Sequence, residues 1–296
     1  MVTFIKKIYA WYHRPKSKIA DFFESLLWIL PVVFLVKTFI FGLYQVPTCS
    51  METTLLVGER FVADKLTPWF CPPNRGDIIS FNDPNFNYSE NKWMRLYQNY
   101  ADWHVQNWTK RVIGIPGDHV QGVIEDGHPV VYLNGKKLDE PYLNQYPIAF
   151  VFKEDLVSGG DRNTGYCHRT YDDNLPFEEQ PFYRLSAMEL VRGKMVLGQD
   201  ALVYPGSIAY DQNGRNVDEF DVQLGKNQYW VMGDNRLASG DSRFWGVLDG
   251  SLIHGKIVFR LWSIDTNQSW WIFDLLMHPI DFFKRIRWSR CLQLVK

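Results

Sequence analysis

The longest hydrophobic run of the chain lies near its N-terminus and extends from Phe22 to Tyr44. It is long enough to cross a bilayer, because about 20 largely apolar residues span the hydrocarbon core. Pro31 lies within the run, and proline is tolerated in membrane helices. The run is longer than the apolar part of a signal peptide, and no small-x-small cleavage site follows it. The pattern therefore predicts an uncleaved transmembrane anchor over residues 22–44.

The charges that flank this run predict its orientation. Residues 1–21 are rich in lysine and arginine, whereas the residues that follow Tyr44 mix acids and bases. Positively charged flanks stay in the cytoplasm. We therefore expect 1–21 to be cytoplasmic and everything beyond Tyr44 to lie on the outer side.

Beyond the anchor, apolar residues occur in short runs bounded by turn residues, a pattern typical of β-structure. Strands are predicted at 78–81, 228–232 and 256–262. Within 130–138, Asn134-Gly135 predicts a hairpin with a type I′ turn, because both residues accept positive φ. Among the later segments, only the last thirty residues approach a long helical period. The predicted fold class is mainly β, with an N-terminal transmembrane helix followed by an antiparallel β domain.

Two polar, aromatic and irregular stretches, 82–108 and 158–181, interrupt the predicted strands. We interpret them as insertions or long loops. The β core is then expected to comprise 45–124 and 226–266, with a second β subdomain inserted at 125–225.

The C-terminal tail, 267–296, mixes aromatic and basic residues. His278-Pro279 interrupts it too strongly for a spanning helix, and its apolar positions do not fall cleanly on one helical face. Contact with a membrane interface and packing on the β domain are both compatible with this pattern.

Composition narrows the function classes. The 296 residues exceed one typical domain. The net charge of −1 argues against nucleic-acid binding, which needs a basic surface to neutralise phosphates. The four cysteines, Cys49, Cys71, Cys167 and Cys291, have no metal-binding spacing. If their domain lies outside the cytoplasm, one disulfide is possible, and the sequence does not determine which pair would form it.

The main candidate for chemistry is Lys110, which is framed by apolar residues and the turn Pro116-Gly117. A buried lysine loses its proton, because desolvation penalises the ammonium form. A neutral amine beside a serine is a general base that needs no histidine. Ser50, just past the anchor, is the candidate serine, and the polar segment 233–243 is the third element of interest.

These segments resemble type I signal peptidase, the leader peptidase of bacterial inner membranes. The resemblance begins at 36–41 in the anchor and continues through ordered motifs at 45–59, 75–78, 110–118, 233–246 and 255–263. It implies a membrane-anchored serine endopeptidase with a catalytic β core. Such an enzyme removes N-terminal signal peptides from exported preproteins by cutting after small residues in an Ala-x-Ala pattern.

The resemblance also implies the setting of the enzyme. Its partners would be preproteins and the lipid bilayer, and no cofactor or metal is expected. The chain would cross the bacterial inner membrane once, with the catalytic domain on the periplasmic face. The oligomeric state is not determined.

Matched by position, the resemblance assigns a role to each candidate residue. Ser50 is the nucleophile and Lys110 its general base, while the Thr48 hydroxyl and the Ser50 N–H form the oxyanion hole. Ser239 orients the lysine amine. The supporting ion pairs are Asp241 with Arg243, and Asp234 with Arg111.

The chain departs from the family pattern at three places: Cys49 replaces a glycine, Thr53 replaces a proline, and Leu237-Ala238 replaces polar residues. Four alternatives remain open: Cys49 as a thiol nucleophile, a Ser-His-Asp hydrolase using Ser50, a catalytically inactive membrane-anchored β binding protein, and a cytosolic self-cleaving repressor with the same Ser/Lys pair. The first two lack a histidine at a recognisable spacing. An inactive protein would not be expected to keep Ser50, Lys110 and Ser239 together, and the anchor argues against the repressor.

Overall fold

A computed structural model describes residues 17–52, 54–56, 58–102, 104–143, 208–211, 213–236, 239–264 and 271–295. The chain forms two units, one up to Ile40 and one from Phe41 onward. The first unit contains helix α1 (Lys18–Phe39). Its stretch Asp21–Phe39 is long and apolar enough to cross a membrane, and none of it is buried in protein.

The predicted anchor, 22–44, is misplaced at both ends, because α1 begins four residues earlier and ends at Phe39. Residues 41–45 form a strand instead, which pairs with a second strand from Phe41↔Asp64 to Gln45↔Arg60. Cross-strand backbone hydrogen bonds replace those of the helix, and Gly42 within this segment is a weak helix former. A continuous apolar run therefore covers two elements of different type.

The second unit is built mainly from strands. In chain order it contains β1 (Phe41–Gln45), β2 (Arg60–Asp64), β3 (Ile78–Asn82), α2 (Lys92–Tyr100), β4 (Asn107–Gly114), β5 (His119–Glu125), β6 (His128–Leu133), β7 (Lys136–Lys137), β8 (Phe220–Gln223), β9 (Gln228–Met232), α3 (Ser242–Trp245), β10 (Leu248–Asp249), β11 (Ile253–Trp262), α4 (Trp271–Met277), α5 (Pro279–Lys284) and β12 (Gln293–Leu294).

All the described strand pairings are antiparallel, so the predicted fold class is confirmed. The larger sheet has the order β1-β2-β11-β3-β4-β9-β10, with β12 added to β11. The smaller sheet has the order β7-β6-β5-β8. Strands predicted at 78–81, 228–232 and 256–262 are present as β3, β9 and part of β11.

The smaller sheet begins earlier than the predicted boundary at residue 125, because β5 belongs to it. The chain turns between β4 and β5 at Gly117, whose φ of 93° lies in the left-handed region that favours glycine. This turn directs β5 away from the larger sheet. The predicted hairpin is confirmed, since Asn134 and Gly135 join β6 to β7 with φ values of 52° and 76°.

The prediction of an irregular loop over 82–108 is wrong, because this stretch contains α2. The Asn91 side chain caps the helix by accepting hydrogen bonds from the backbone N–H groups of Trp93 and Met94. A helix of nine residues is too short to establish a clear period in the sequence. The other irregular stretch, 158–181, lies outside the described residues.

The C-terminal tail packs on the β domain. β12 pairs with β11, and the ring of Trp271 lies 5.1 Å from that of Trp262 on β11. The break at His278-Pro279 separates α4 from α5, which explains why no single helical period runs through the tail. Within α4, Trp271 and Leu275 are partly buried, whereas Ile272, Phe273, Leu276 and Met277 are exposed.

Candidate active site

Ser50 lies in a short 3₁₀ turn, Cys49–Met51, between β1 and β2. The turn is fixed because Met51 is buried in a cluster with Val46, Leu55 and other core residues. The Ser50 carbonyl accepts a hydrogen bond from the backbone N–H of Asn235 at 3.1 Å. Core packing on one side and the Asn235 loop on the other therefore hold the backbone of the serine.

Lys110 lies in the middle of β4, opposite Ile79 of β3. Its Nζ donates a hydrogen bond to Ser50 Oγ at 2.9 Å. Ser50 is 7% exposed and Lys110 is 6% exposed. The structure thus brings together two candidates that are 60 positions apart in sequence, in surroundings that disfavour an ammonium ion.

Thr48 stands at the edge of the same site, with its Oγ1 3.4 Å from Ser50 Oγ. All three candidates line a cleft of about 400 Å³. One wall of this cleft is apolar and includes Leu55, Phe61 and other buried residues. Among the described residues that line the cleft there is no histidine, so this site gives no support to a Ser-His-Asp mechanism.

Ser239 is buried close to the nucleophile, and Gly233 lies between them. A Cβ atom at position 233 would lie 2.3 Å from Ser239 Oγ and 2.5 Å from the Ser50 carbonyl oxygen. The loop after β9 can therefore pass this point only as glycine. Within the described residues, Ser239 Oγ makes no close hydrogen bond, and it lies beside the Asp241 carboxylate.

Asp241 organises the loop that carries Ser239. Its carboxylate accepts hydrogen bonds from the Gly233 N–H at 3.0 Å and from Arg243 Nε at 2.8 Å. Burial raises the pKa of Asp241, but the Arg243 guanidinium outweighs this effect and the pKa is lowered. Arg243 also pairs with Asp218 at 2.7 Å, a partner that the sequence did not reveal.

Asp234 and Arg111 form a buried two-pronged ion pair, with N···O distances of 2.8 and 2.7 Å. Arg111 follows Lys110 on β4. Thr54, in the loop after the nucleophile, donates to the second carboxylate oxygen of Asp234 at 2.5 Å. The ion pair therefore connects three segments: β4, which carries Lys110, the loop that follows Ser50, and the loop after β9.

Glu59 is a further buried carboxylate near the site, and the sequence analysis did not identify it as a site residue. It accepts hydrogen bonds from Arg260 on β11 at 3.0 Å and from Arg290 in the tail at 2.6 Å. Both arginines also donate to the Thr54 carbonyl oxygen. Burial raises the pKa of Glu59, but Arg290 and Arg260 outweigh it and lower the pKa. An acid after the apolar pair Leu55-Leu56 was a local signal, but its partners are about 200 positions away.

The positions at which the chain departs from the family pattern lie at the margins of the described residues. The backbone of Cys49 lies in the 3₁₀ turn, but its side chain lies outside what the structure describes, as do Thr53, Leu237 and Ala238. Cys71 is exposed and Cys291 is partly buried, and both are free thiols. Cys167 lies outside the described residues.

Comparison with known proteins identifies the family to which the chain is similar. Residues 19–262 match the family model described as signal peptidase, peptidase S26. The signal peptidase I of Bacillus caldolyticus is 32% identical and aligns over 78% of this chain and 85% of its own length. That of Haemophilus influenzae is 28% identical, over 87% of this chain and 74% of its own length.

A solved signal peptidase I from Enterococcus faecalis V583 also matches, at 20% identity over 62% of this chain and 95% of its own, with a TM-score of 0.27. At that TM-score the sequence matches, rather than the structural one, carry the assignment. The chain therefore belongs to the signal peptidase family, peptidase S26, and is a serine endopeptidase that removes signal peptides.

Proposed function

We propose that Ser50 is the nucleophile of this peptidase and that Lys110 is its general base. The observation that carries the proposal is the 2.9 Å hydrogen bond between two side chains that are both more than nine-tenths buried. Ser50 Oγ attacks the scissile carbonyl while a neutral Lys110 amine accepts its proton. Lys110 then passes the proton to the leaving amine and activates the water that hydrolyses the acyl-enzyme.

The negative charge that develops on the carbonyl oxygen is stabilised by the Ser50 N–H and the Thr48 hydroxyl. Donors aimed at a developing oxyanion contribute roughly 3–4 kcal/mol each. The position of Thr48 at the edge of the cleft supports this role. Ser239 is a positioning residue whose buried hydroxyl lies close enough to the nucleophile loop to orient the lysine amine during the reaction. Asp241, Arg243, Asp234 and Arg111 hold the loops in place.

The substrate is a preprotein with small residues, typically alanine, at the first and third positions before the cut. The apolar wall of the cleft supports this specificity. Val46, Leu55 and Phe61 are packed into the same core cluster that fixes the nucleophile turn. Close-packed side chains cannot yield to a large substrate residue without cost.

Helix α1 anchors the enzyme in the bacterial inner membrane as a single span, with the catalytic unit on the periplasmic face. Its exposed apolar side chains support this, since Leu27 and Trp28 are 65% and 62% exposed. The basic residues before the helix support the orientation, because positive charges remain on the cytoplasmic side.

The assignment of the base is tested by preprotein cleavage in detergent with Ser50→Ala, Lys110→Ala and Lys110→Arg. We expect all three variants to lose activity while keeping their melting temperature. Arginine fails because a guanidinium does not give up its proton at working pH. Lys256→Ala is the matched control, because Lys256 also lies opposite Ile79, on the other side of β3. An active Lys110→Arg enzyme would refute the assignment.

A further inference from the structure

The helices of the C-terminal tail lie beyond the residues matched by the family model, and their apolar side chains point away from the protein. In α4, Ile272 and Phe273 are 51% and 61% exposed, and Leu276 and Met277 are 70% and 73% exposed. In α5, Ile280 and Phe283 are also more than half exposed. A helix on the surface of a water-soluble domain has the opposite arrangement, with its apolar side facing the core.

The charged residue of α4 faces inward instead. Asp274 is 6% exposed and pairs with Arg285, with N···O distances of 2.9 and 2.7 Å. Beside this pair, Trp271 contacts Trp262 and Phe282, and the Arg60 guanidinium lies 5.9 Å from the Trp271 ring. The tail is therefore docked firmly through a mixed polar and aromatic face. Because these contacts fix the orientation of the tail, its apolar face points outward in a defined way.

We propose that this outward face rests on the surface of the lipid bilayer. We define the tail face as Ile272, Phe273, Leu276, Met277, Ile280 and Phe283. Exposed apolar surface of this extent is unfavourable in water and favourable at the boundary between headgroups and acyl chains. The inverted polarity of α4 is then the expected arrangement for a helix between a protein and a membrane.

The border of the tail face matches an interfacial position. Lys284 ends α5 and is exposed, and Trp288 is 58% exposed. A lysine can reach anionic headgroups with its charged end, and tryptophan favours the interface because its ring is apolar and its N–H is polar.

The inference rests on the membrane anchoring proposed above. Ile40 alone separates α1 from β1 along the chain. A catalytic unit that begins one residue after a membrane span stays at the lipid surface, where the tail face meets lipid at high effective concentration. A freely diffusing partner protein has no such advantage.

The test is nitroxide spin labelling of the full chain in vesicles that contain anionic lipid. In a background with all four cysteines replaced by serine, single cysteines are introduced by Leu276→Cys, Ile280→Cys and, as an exposed control in β7, Lys136→Cys. Collisions with oxygen, which concentrates in lipid, are compared with collisions with a water-soluble nickel chelate. We expect labels at 276 and 280 to favour oxygen severalfold more than the label at 136.

A label introduced by Ile29→Cys in α1 separates this inference from the anchoring on which it rests. Oxygen preference at 29 together with nickel preference at 276 and 280 would overturn the tail proposal while leaving the anchor intact. Nickel preference at 29 would show that the anchor itself is wrong. Dipolar broadening between labels at 276, removed by dilution with unlabelled protein, would identify a second copy of the chain as the occupant and would also overturn the proposal.

Discussion

Two lysines of the same sheet show how the surroundings of a residue determine its chemistry. Lys110 and Lys256 lie opposite the same residue, Ile79, from the two neighbouring strands. The Lys256 side chain is 35% exposed and forms an ion pair with Asp77 at 2.7 Å. Lys110 is buried and donates to a hydroxyl. The Lys256 amine thus contacts a carboxylate and solvent, whereas the Lys110 amine is enclosed by protein, and burial of this kind penalises an ammonium ion.

The proposed role of Thr48 gives a prediction at the level of a single hydroxyl. Thr48→Val keeps the shape of the side chain and removes its donor, so we expect kcat to fall by ~10²–10³ with little change in KM. Thr48→Ser retains the donor and should keep most of the activity. Both constants are measured on preprotein cleavage in detergent, with melting temperatures recorded in parallel. Unchanged kcat in Thr48→Val would remove this residue from the oxyanion hole.

Lys110 could be singled out from the sequence because apolar residues frame it, whereas the resemblance to signal peptidases assigned the roles of the other candidate residues. Ser50 and Lys110 were identified in these ways, and the structure places them in contact. The buried partners could not be identified, because the sequence around a carboxylate such as Asp218 or Glu59 does not show which arginine it contacts. Its partner is chosen by tertiary packing between segments that are distant in sequence.

At the scale of loops and strands, the close approach at Gly233 limits what the loop after β9 can contain. Gly233→Ala would force the Ser50 carbonyl and the Ser239 side chain apart. We expect a lower melting temperature and a severalfold or greater loss of kcat, because the nucleophile loop must move. Gly240→Ala in the same loop is the control for stability, since an added Cβ there meets no atom within 4 Å. Equal melting temperatures for the two variants would contradict this explanation.

Glu59 gives a second prediction at this scale, because it joins strand β11 and the tail to the nucleophile loop. Glu59→Gln leaves two buried arginines without their carboxylate, and breaking a buried ion pair of this kind costs about 3–5 kcal/mol. Glu125→Gln removes an exposed pair with Lys137 and should lower the free energy of unfolding far less, because solvent screens exposed charges. Urea unfolding of both variants in detergent measures the difference. If both variants lost a similarly small amount of unfolding free energy, the buried ion pairs of Glu59 would contribute little to stability.

The same cluster determines how stability responds to acid. Because the pKa of Glu59 is lowered in the folded protein, its stabilising effect is complete above the pKa of an unfolded glutamate, ~4.3. The effect is lost as the pH falls through the lower, folded value. The wild type should therefore lose more stability than Glu59→Gln as the pH is lowered below ~4.3. The free energy of unfolding is measured for both proteins as a function of pH. If the two values fall in parallel below pH ~4.3, Glu59 is not the group responsible.

Elements were predictable where a short pattern is sufficient to define them. The short apolar run of β9 and the Asn134-Gly135 turn are local features, and both were predicted correctly. The end of the anchor was not, because Phe41–Gln45 are apolar enough for a membrane and become a strand only through pairing with β2. The α2 helix was not predicted either, because it is only nine residues long and its main local feature is the Asn91 cap.

For the whole molecule, the proposed orientation predicts which part of the chain is accessible from each side of the membrane. Protease added outside spheroplasts should digest the region after Ile40 and leave 1–17 intact. In inverted vesicles the pattern should be reversed. A detergent-permeabilised sample, in which both parts are digested, shows that neither is intrinsically resistant. Protection of Lys110 and its neighbours in spheroplasts would place the active site on the wrong side for exported substrates.

The position of β11 in the larger sheet has a consequence for the order in which the enzyme becomes active. β11 is formed by residues 253–262, yet it lies between β2 and β3. The hairpin that holds Ser50 and the strand pair that holds Lys110 are therefore joined in the sheet by a segment that is synthesised after both of them. Until that segment arrives, nucleophile and base belong to separate halves. The newly made chain thus has no complete cutting site while β11 is still missing from the sheet, even though Ser50 and Lys110 have both been synthesised.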